Sequence, residues 1–376
     1  MKTKAAVLYE MERPAPYAES RPLKIEELDL EGPGPDEVLV EIGGAGLCHS
    51  DLSVINGSRP RVMPMALGHE AAGTIRETGA NVEGLRVGDR VVFSFVPVCG
   101  HCRPCQSGRA ALCEPGFDAN VAGALLNGAR RFRNASGRMI NHHQSVSGFS
   151  QFTVTMPESL VRIDPDVSLE TAALFGCAIM TGVGAVVNTA KVRPGASVVV
   201  FGMGGVGLSA VMGARAAGAG SIIAIDRLPH KLELARDCGA THTINASKDA
   251  AVDAVRELTH GGADYAFEVV GNAKVLAEAY AATTRGGETI SVGLPHPREE
   301  LQIQAVSLTA EERILKGSYM GSCVPSRDIP RFIQMYQSGL LPVDKLKSGS
   351  LPLDDINEGF DKLDRGEVVR QVVAFN

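Results

Sequence analysis

The stretch Ser197–Arg227, SVVVFGMGGVGLSAVMGARAAGAGSIIAIDR, limits what this chain can fold into more than any other. It opens with the apolar run Val198-Val199-Val200-Phe201, which reads as a strand buried on both faces. Gly202-x-Gly204-x-x-Gly207 follows, then an Ala-rich helical segment, then a second apolar run that ends in Asp226. Strand, glycine turn, helix, strand and acid is the order a dinucleotide needs. The first glycine makes the tight turn, the second lets backbone amides reach the pyrophosphate, and the third lets the helix pack on the strand. Gly205 and Val206 complete the turn, and Asp226 is the carboxylate expected on the ribose hydroxyls. A bilayer-spanning reading of the uncharged run from Ala196 to Ala214 fails, because it holds five glycines (202, 204, 205, 207 and 213) and two serines.

At 376 residues the chain is long enough for two domains, and its 44% hydrophobic and 21% charged residues are those of a globular protein. A net charge of −6 gives no field to attract nucleic acid. The densest basic spot, Arg130, Arg131 and Arg133, reads as a solvated loop. The start, MKTKAAVLYEMERP, has no apolar core of a secretory signal, so no membrane role is expected and the expected location is cytoplasmic. In that reducing setting the eight cysteines serve metals or catalysis rather than disulfides.

Short strand-like runs separated by turn signals fill the first part of the chain: Val38 to Ile42, Ala72 to Arg76, Asp89 to Phe95 and Phe152 to Thr155. From about residue 179 helices alternate with apolar strands, the pattern of βαβ units and a parallel sheet. After about residue 322 the alternation stops. A helical segment, Ile329 to Ser338, and a closing strand, Val368 to Phe375, are expected to return to the first domain. The expected class is α/β: a doubly wound Rossmann domain over 179–322, and a β-rich catalytic domain over 1–178 and 323–376.

Cys99-x2-Cys102-x2-Cys105-x7-Cys113 places four thiols in one short loop. Four thiolates are what closed, tetrahedral structural zinc prefers; an iron–sulfur cluster is the remaining alternative. A second set is dispersed: Cys48, His69 and Cys177. Each alone reads as a small buried thiol or a core histidine. Together they would supply two thiolates and an imidazole and leave a fourth position open, one known ligand set of catalytic zinc. Cys238 and Cys323 have no partner pattern.

At these residues a resemblance appears. GLCHSDL, ALGHEAAG, CGHCRPCxxGxxxLC, GCAIMTGVGAVVNTAKVRPG, VFGMGGVGLS and the final VVRQVVAF resemble the zinc-dependent medium-chain alcohol dehydrogenases over essentially the whole chain, with a GroES-like catalytic domain. The loop 114–150 resembles that of the liver-type and glutathione-dependent formaldehyde classes, which are dimers; shorter-looped relatives are often tetramers. The resemblance implies NAD, two zinc ions per chain (one catalytic, one structural), a homodimer and a small alcohol or aldehyde as substrate. It makes Cys48, His69 and Cys177 the catalytic ligands, with Glu70 behind the metal as an occasional ligand. Asp51 would accept from the His69 ring, and Ser50 would take the substrate proton. Asp226 and Lys231 match the ribose contacts, with Arg227 adjacent. His49 and Arg370 match the pyrophosphate contacts; Thr181, Val206 and Val292 line the nicotinamide.

Three positions depart from that pattern. Ser53 stands where the liver-type family has a relay histidine, and Phe117 stands where the glutathione-adduct class has an arginine. The latter weakens the alternative reading, a thiol-adduct formaldehyde dehydrogenase. Arg59, His143 and Gln144, with Phe95, fall where relatives line the substrate pocket, and they imply either a water-exposed polar mouth or a substrate with a polar end.

Overall fold

A computed structural model describes residues 1–375, which divide into two compact units. One comprises Met1–Cys177, Val324–Pro330 and Lys347–Asn376; the other comprises Ala178–Cys323 and Arg331–Leu346. The expected boundary gave all of 323–376 to the catalytic domain. The structure instead assigns Cys323 and Arg331–Leu346 to the dinucleotide unit. Two contacts explain this: Lys345 Nζ donates to Asp237 O at 2.7 Å, and Asn188 Nδ2 donates to Cys323 Sγ at 3.3 Å.

In the first unit, strands Lys2–Leu8, Leu23–Leu30, Phe132–Arg133, Met139–His142 and Met65–Ala66 close a small barrel. A second sheet runs Leu160–Arg162, Arg90–Phe93, Glu70–Thr78, Val38–Gly46, Arg370–Ala374 and Lys347–Leu351, with Phe152–Thr155 also paired to Val38–Gly46. Apolar side chains from both sheets, among them Leu8, Val40, Ile42, Ile75 and Phe93, form one core with Phe149 and Phe360. Burial of that core is the main stabilising term for this unit.

The second sheet sets the positions of chemistry. Val38–Gly46 runs antiparallel to Glu70–Thr78 with Gly46 opposite Glu70, and antiparallel to Arg370–Ala374 with Gly46 opposite Val372. Residues far apart in the chain thus meet at the end of one strand. A Cβ on Gly46 would lie 2.6 Å from Glu70 Oε1, so only glycine leaves room for that carboxylate.

The second unit is a six-stranded parallel sheet in the order His242–Asn245, Ser221–Asp226, Ser197–Phe201, Ala263–Glu268, Thr283–Ser291, Ile314–Gly317. In chain order this is 3-2-1-4-5-6, the doubly wound arrangement that binds dinucleotides. Val198, Val199 and Val200 are fully buried, as their unbroken apolar run required. No single helix among the described residues is long and apolar enough to cross a membrane.

The basic spot is not a solvated loop. Arg131 grips Glu37 with Nε and Nη2, each at 2.8 Å, and Arg133 Nε donates to Glu31 at 3.0 Å. Arg130 donates to Asn141 Oδ1 and to Ala122 O. Glu37 is fully buried and also accepts from Asn127 Nδ2 and Gly34 N. Burial opposes its ionisation, but the donors from Arg131, Asn127 and Gly34 more than offset it, so its pKa falls below the usual carboxylate value. A depressed folded pKa contributes stability that is present above the unfolded-state pKa and lost as pH falls through the folded one. Glu37→Gln is therefore expected to cost about 3 kcal/mol near neutrality. The loss should shrink in the acid range; urea midpoints at pH 7 and pH 3.5 that shift equally would contradict this.

Candidate metal centres and nucleotide turn

Cys48 ends the loop after strand Val38–Gly46 and caps helix His49–Ile55, where its Sγ accepts from Ser50 N at 3.5 Å. A helix N-terminus favours a thiolate over a thiol. His69 precedes strand Glu70–Thr78, and Cys177 follows the turn ending in Gly176. Ligand atoms of Cys48, His69, Glu70 and Cys177 all lie within 4.8 Å of one another, and all four residues are buried. His69 Nε2 is 3.4 Å from Cys177 Sγ, so that ring nitrogen faces the thiols.

The other nitrogen is held from behind. His69 Nδ1 lies 2.9 Å from Asp51 Oδ1, and Asp51 Oδ2 accepts from Cys48 N at 3.3 Å. A carboxylate on Nδ1 fixes the proton there and leaves Nε2 as a lone-pair donor for a metal. Phe95 sets its ring edge-on to that of His69, centroids 5.8 Å apart. Asp51, His69 and His143 also fall within 4.8 Å, but the 2.9 Å contact is a hydrogen bond, so this trio orients a ligand rather than forming a separate centre.

Charge is balanced locally. Interaction with Cys177 and the cations Arg370 and His69 hold the Cys48 thiol well below its usual range, while the Cys177 thiol is raised well above it by Cys48 and by burial. The two sulfurs therefore share a proton that a divalent cation would displace. Burial opposes the His69 imidazolium, but Asp51 and Cys48 raise its pKa well above the ordinary value. Glu70 is pushed up to about 7 by burial, against the pull of Arg370, and neither of its oxygens has a hydrogen-bond donor. Two sulfurs, an imidazole nitrogen and an undonated carboxylate are a donor set that suits zinc.

Arg370 packs against the same cluster. Its guanidinium is buried; Nη2 lies 3.4 Å from Cys48 Sγ, and Nε lies 3.3 Å from Glu70 Oε1 without hydrogen-bond alignment. Nη1 donates to Leu47 O and Val369 O. The structure thus sets this side chain against the anionic cluster, where it offsets buried negative charge.

The substrate-pocket expectations change as well. His143 and Gln144 are buried, so a water-exposed polar mouth is not what they form. His143 Nδ1 lies 3.4 Å from the same Asp51 oxygen as His69, its ring is edge-on to His69 at 5.7 Å, and burial lowers its pKa, with Asp51 opposing. Arg59 is half-buried and donates its backbone N–H to Ser53 O. Ser53 Oγ donates to His49 O, His49 is exposed and Ser50 is half-buried.

The four-cysteine loop closes as its spacing implied. Cys99, Cys102, Cys105 and Cys113 bring their sulfurs within 4.8 Å. Backbone N–H groups of Cys99 and Cys102 donate to the sulfurs of Cys113 and Cys99, and the backbone around Cys105 brings the Cys102 thiol down to about 7. Amides aimed at sulfur favour thiolates, while burial raises the Cys105 and Cys113 thiols, so a cation is needed to hold all four sulfurs ionised.

In the dinucleotide unit, Gly202 has φ +99°, and a Cβ on Gly207 would meet Gly202 O at 1.8 Å. Gly204 differs: a Cβ there would meet nothing within 4 Å. Packing does not explain this glycine, but close approach of a phosphate does, so the turn fits a dinucleotide. Helix Gly205–Ala216 begins there with no side chain capping its amides. Asp226 accepts from Met203 N at 2.7 Å and Leu228 N at 3.0 Å, which ties the acid to the glycine turn. Lys231 is buried, with its pKa lowered by burial against Asp226, and Arg227 is exposed. Thr181 lies on helix Ala178–Gly184, Val206 in the turn's helix, and Val292 is buried just past strand Thr283–Ser291.

Comparison with known proteins agrees with both halves. Residues 34–164 match the alcohol dehydrogenase GroES-like domain, and residues 205–338 match the zinc-binding dehydrogenase domain. The chain is 37% identical over 386 residues to alcohol dehydrogenase class-3 of Cereibacter sphaeroides, covering 100% of both. It is 36% identical over 384 residues to S-(hydroxymethyl)glutathione dehydrogenase of Paracoccus denitrificans, again covering 100% of both. The crystal structure of benzyl alcohol dehydrogenase from Acinetobacter calcoaceticus superimposes with a TM-score of 0.93 at 33% identity and 100% coverage of each chain.

If Asp51 orients the metal-facing ring, Asp51→Asn should weaken metal retention about 10- to 100-fold while leaving the fold intact. Zinc loss to a chelator, followed by an absorbing dye, reads this directly. Equal release rates for the variant and the parent would remove Asp51 from that role.

Proposed function

The chain belongs to the zinc-dependent medium-chain alcohol dehydrogenase family, and from that premise we propose that it oxidises primary or secondary alcohols with NAD, running in reverse on aldehydes or ketones. The proposal includes one catalytic zinc at Cys48, His69 and Cys177, with Glu70 behind it, and one structural zinc at Cys99, Cys102, Cys105 and Cys113. The observation that carries it is the convergence of two buried sulfurs and an imidazole nitrogen within 4.8 Å, with Asp51 on the far side of the ring.

Zinc, when bound, supplies Lewis acidity that makes a hydroxyl easier to deprotonate, and the dinucleotide supplies the hydride chemistry. The chain's own side chains do the rest. Asp51 holds the His69 ring in the tautomer that frees Nε2. Ser50, in the first turn of helix His49–Ile55, is the hydroxyl assigned to take the substrate proton. Arg370 lowers the cost of gathering two sulfurs and two carboxylates in one buried site. Asp226 accepts from the adenosine ribose, and its carboxylate repels a 2′-phosphate, which favours NAD over NADP; Arg227 beside it softens that preference.

A thiol-adduct formaldehyde dehydrogenase, the activity in the name of the Paracoccus relative, is the weaker alternative. Phe117, on helix Glu114–Ala122, is an exposed apolar side chain that offers no charge to a glutathione carboxylate.

The cofactor assignment is tested by steady-state rates. With aliphatic and aromatic alcohols, kcat/KM with NAD should exceed that with NADP at least tenfold, with two zinc atoms per chain by emission spectroscopy. A higher kcat/KM with NADP overturns the nucleotide choice. Formaldehyde oxidation that depends on added glutathione would instead favour the alternative. Ser50→Ala should lower kcat by about 10²–10⁴ with zinc content unchanged; a drop under twofold would place the proton transfer elsewhere.

A further inference from the structure

We propose that His143 and the strained segment behind it read a second hydroxyl on the alcohol, so that the preferred substrate is a diol or polyol. The inference rests on the dehydrogenase reading and names the substrate class of that same site. His143 stands one ring away from the ligand set, edge-on to His69 and 3.4 Å from Asp51 Oδ1. A lone pair on Nδ1 would face a carboxylate oxygen and be repelled, so in the neutral ring the proton sits on Nδ1. Nε2 is then left as the acceptor. Nδ1 makes no aligned hydrogen bond to Asp51, and on the next residue Gln144 Oε1 is buried with no hydrogen-bond partner.

The backbone supports a role beyond packing. Gln144, Ser145 and Ser147 have φ of +53°, +57° and +49°, left-handed conformations that cost energy in non-glycine residues. Side-chain hydrogen bonds hold them there. Thr155 Oγ1 donates to Ser145 O at 2.7 Å, Thr153 Oγ1 to Val146 O at 2.9 Å, Ser145 Oγ to Ala124 O at 3.1 Å, and His143 N to Ser147 Oγ at 3.0 Å. Strain sustained this way, next to a metal-ligating ring, fixes where His143 and Gln144 sit. A leucine or phenylalanine would fill the same buried volume with no polar atom left over. A second hydroxyl on the alcohol donates to Nε2; a simple alcohol has none to offer. Sites built to bond a substrate hydroxyl discriminate strongly against analogues that lack it.

The test uses the zinc-loaded enzyme with NAD and a matched set: 1-butanol and 1,2-, 1,3- and 1,4-butanediol. At least one diol should exceed 1-butanol in kcat/KM by about tenfold. His143→Leu should collapse that ratio toward one, chiefly through KM, and His143→Gln, which restores an acceptor, should recover part of it. Saturation-transfer NMR with the same diol should show weaker binding to the Leu variant. A diol ratio unmoved by His143→Leu overturns the inference, as does a parent enzyme active on 1-butanol with no preferred diol. Joint loss of zinc and all activity in both variants would assign His143 to bracing Asp51 and overturn it as well. No NAD reduction with any of the four compounds would sink the dehydrogenase reading itself, and this inference with it.

Discussion

The carboxylate of Asp51 is the contact on which the metal site depends. It is fully buried, and such an anion is tolerated only when its oxygens are engaged. Here one oxygen takes the Cys48 amide while the other faces the rings of His69 and His143. Burial opposes its ionisation, but the two histidines more than offset that penalty and its pKa stays low. One side chain thereby fixes the backbone of one ligand and the ring of another. The sulfurs and the imidazole are arranged by the protein, so a metal entering the site meets a geometry already set rather than having to impose one.

That geometry is anchored in a sheet. Gly46 pairs with Glu70 on one side and with Val372 on the other, and Cys48 and Arg370 each lie two residues from this junction. A one-residue slip of either pairing would carry Glu70 or Arg370 to the opposite face. Register is therefore a functional constraint here as well as a folding one. The glycine at 46 belongs to the same constraint, since any side chain there would collide with the Glu70 carboxylate.

The parts of this chemistry that were legible in the sequence were the parts encoded locally. The glycine turn with its flanking strands, and the four cysteines in one loop, each hold their meaning within about thirty residues, and the structure forms both as their spacing required. Cys48, His69 and Cys177 are different: sheet pairing brings them together, so spacing alone left them weak and only the family resemblance joined them. Strands Lys2–Leu8 and Leu23–Leu30 carry no clear strand signal in the sequence. They pair over seven residues, yet LKIEELDL has the charge content of a loop because one of its faces meets water. The approach of His143 to Asp51 has no sequence signal, since it depends on a left-handed backbone that serine and glutamine rarely adopt. The boundary after Pro330 was equally hidden: the segment Arg331–Leu346 joins the dinucleotide unit through contacts such as Lys345 with Asp237.

Arg370 has a physical role at the metal site that its position in the sequence does not reveal. Two sulfurs and the carboxylates of Asp51 and Glu70 lie close together with almost no water access, and a divalent ion carries only part of the charge needed to balance them. A buried cation must supply the remainder. Arginine suits this because it stays protonated in any surroundings and divides its donors between sulfur and backbone carbonyls. Lysine would place a single point charge there and lose most of those bonds, and a neutral residue would leave Glu70 to take up a proton. Because Glu70 already sits near neutrality in its affinity for a proton, the guanidinium beside it decides how much negative charge stands behind the sulfurs, and so how electron-poor a metal held by them can be.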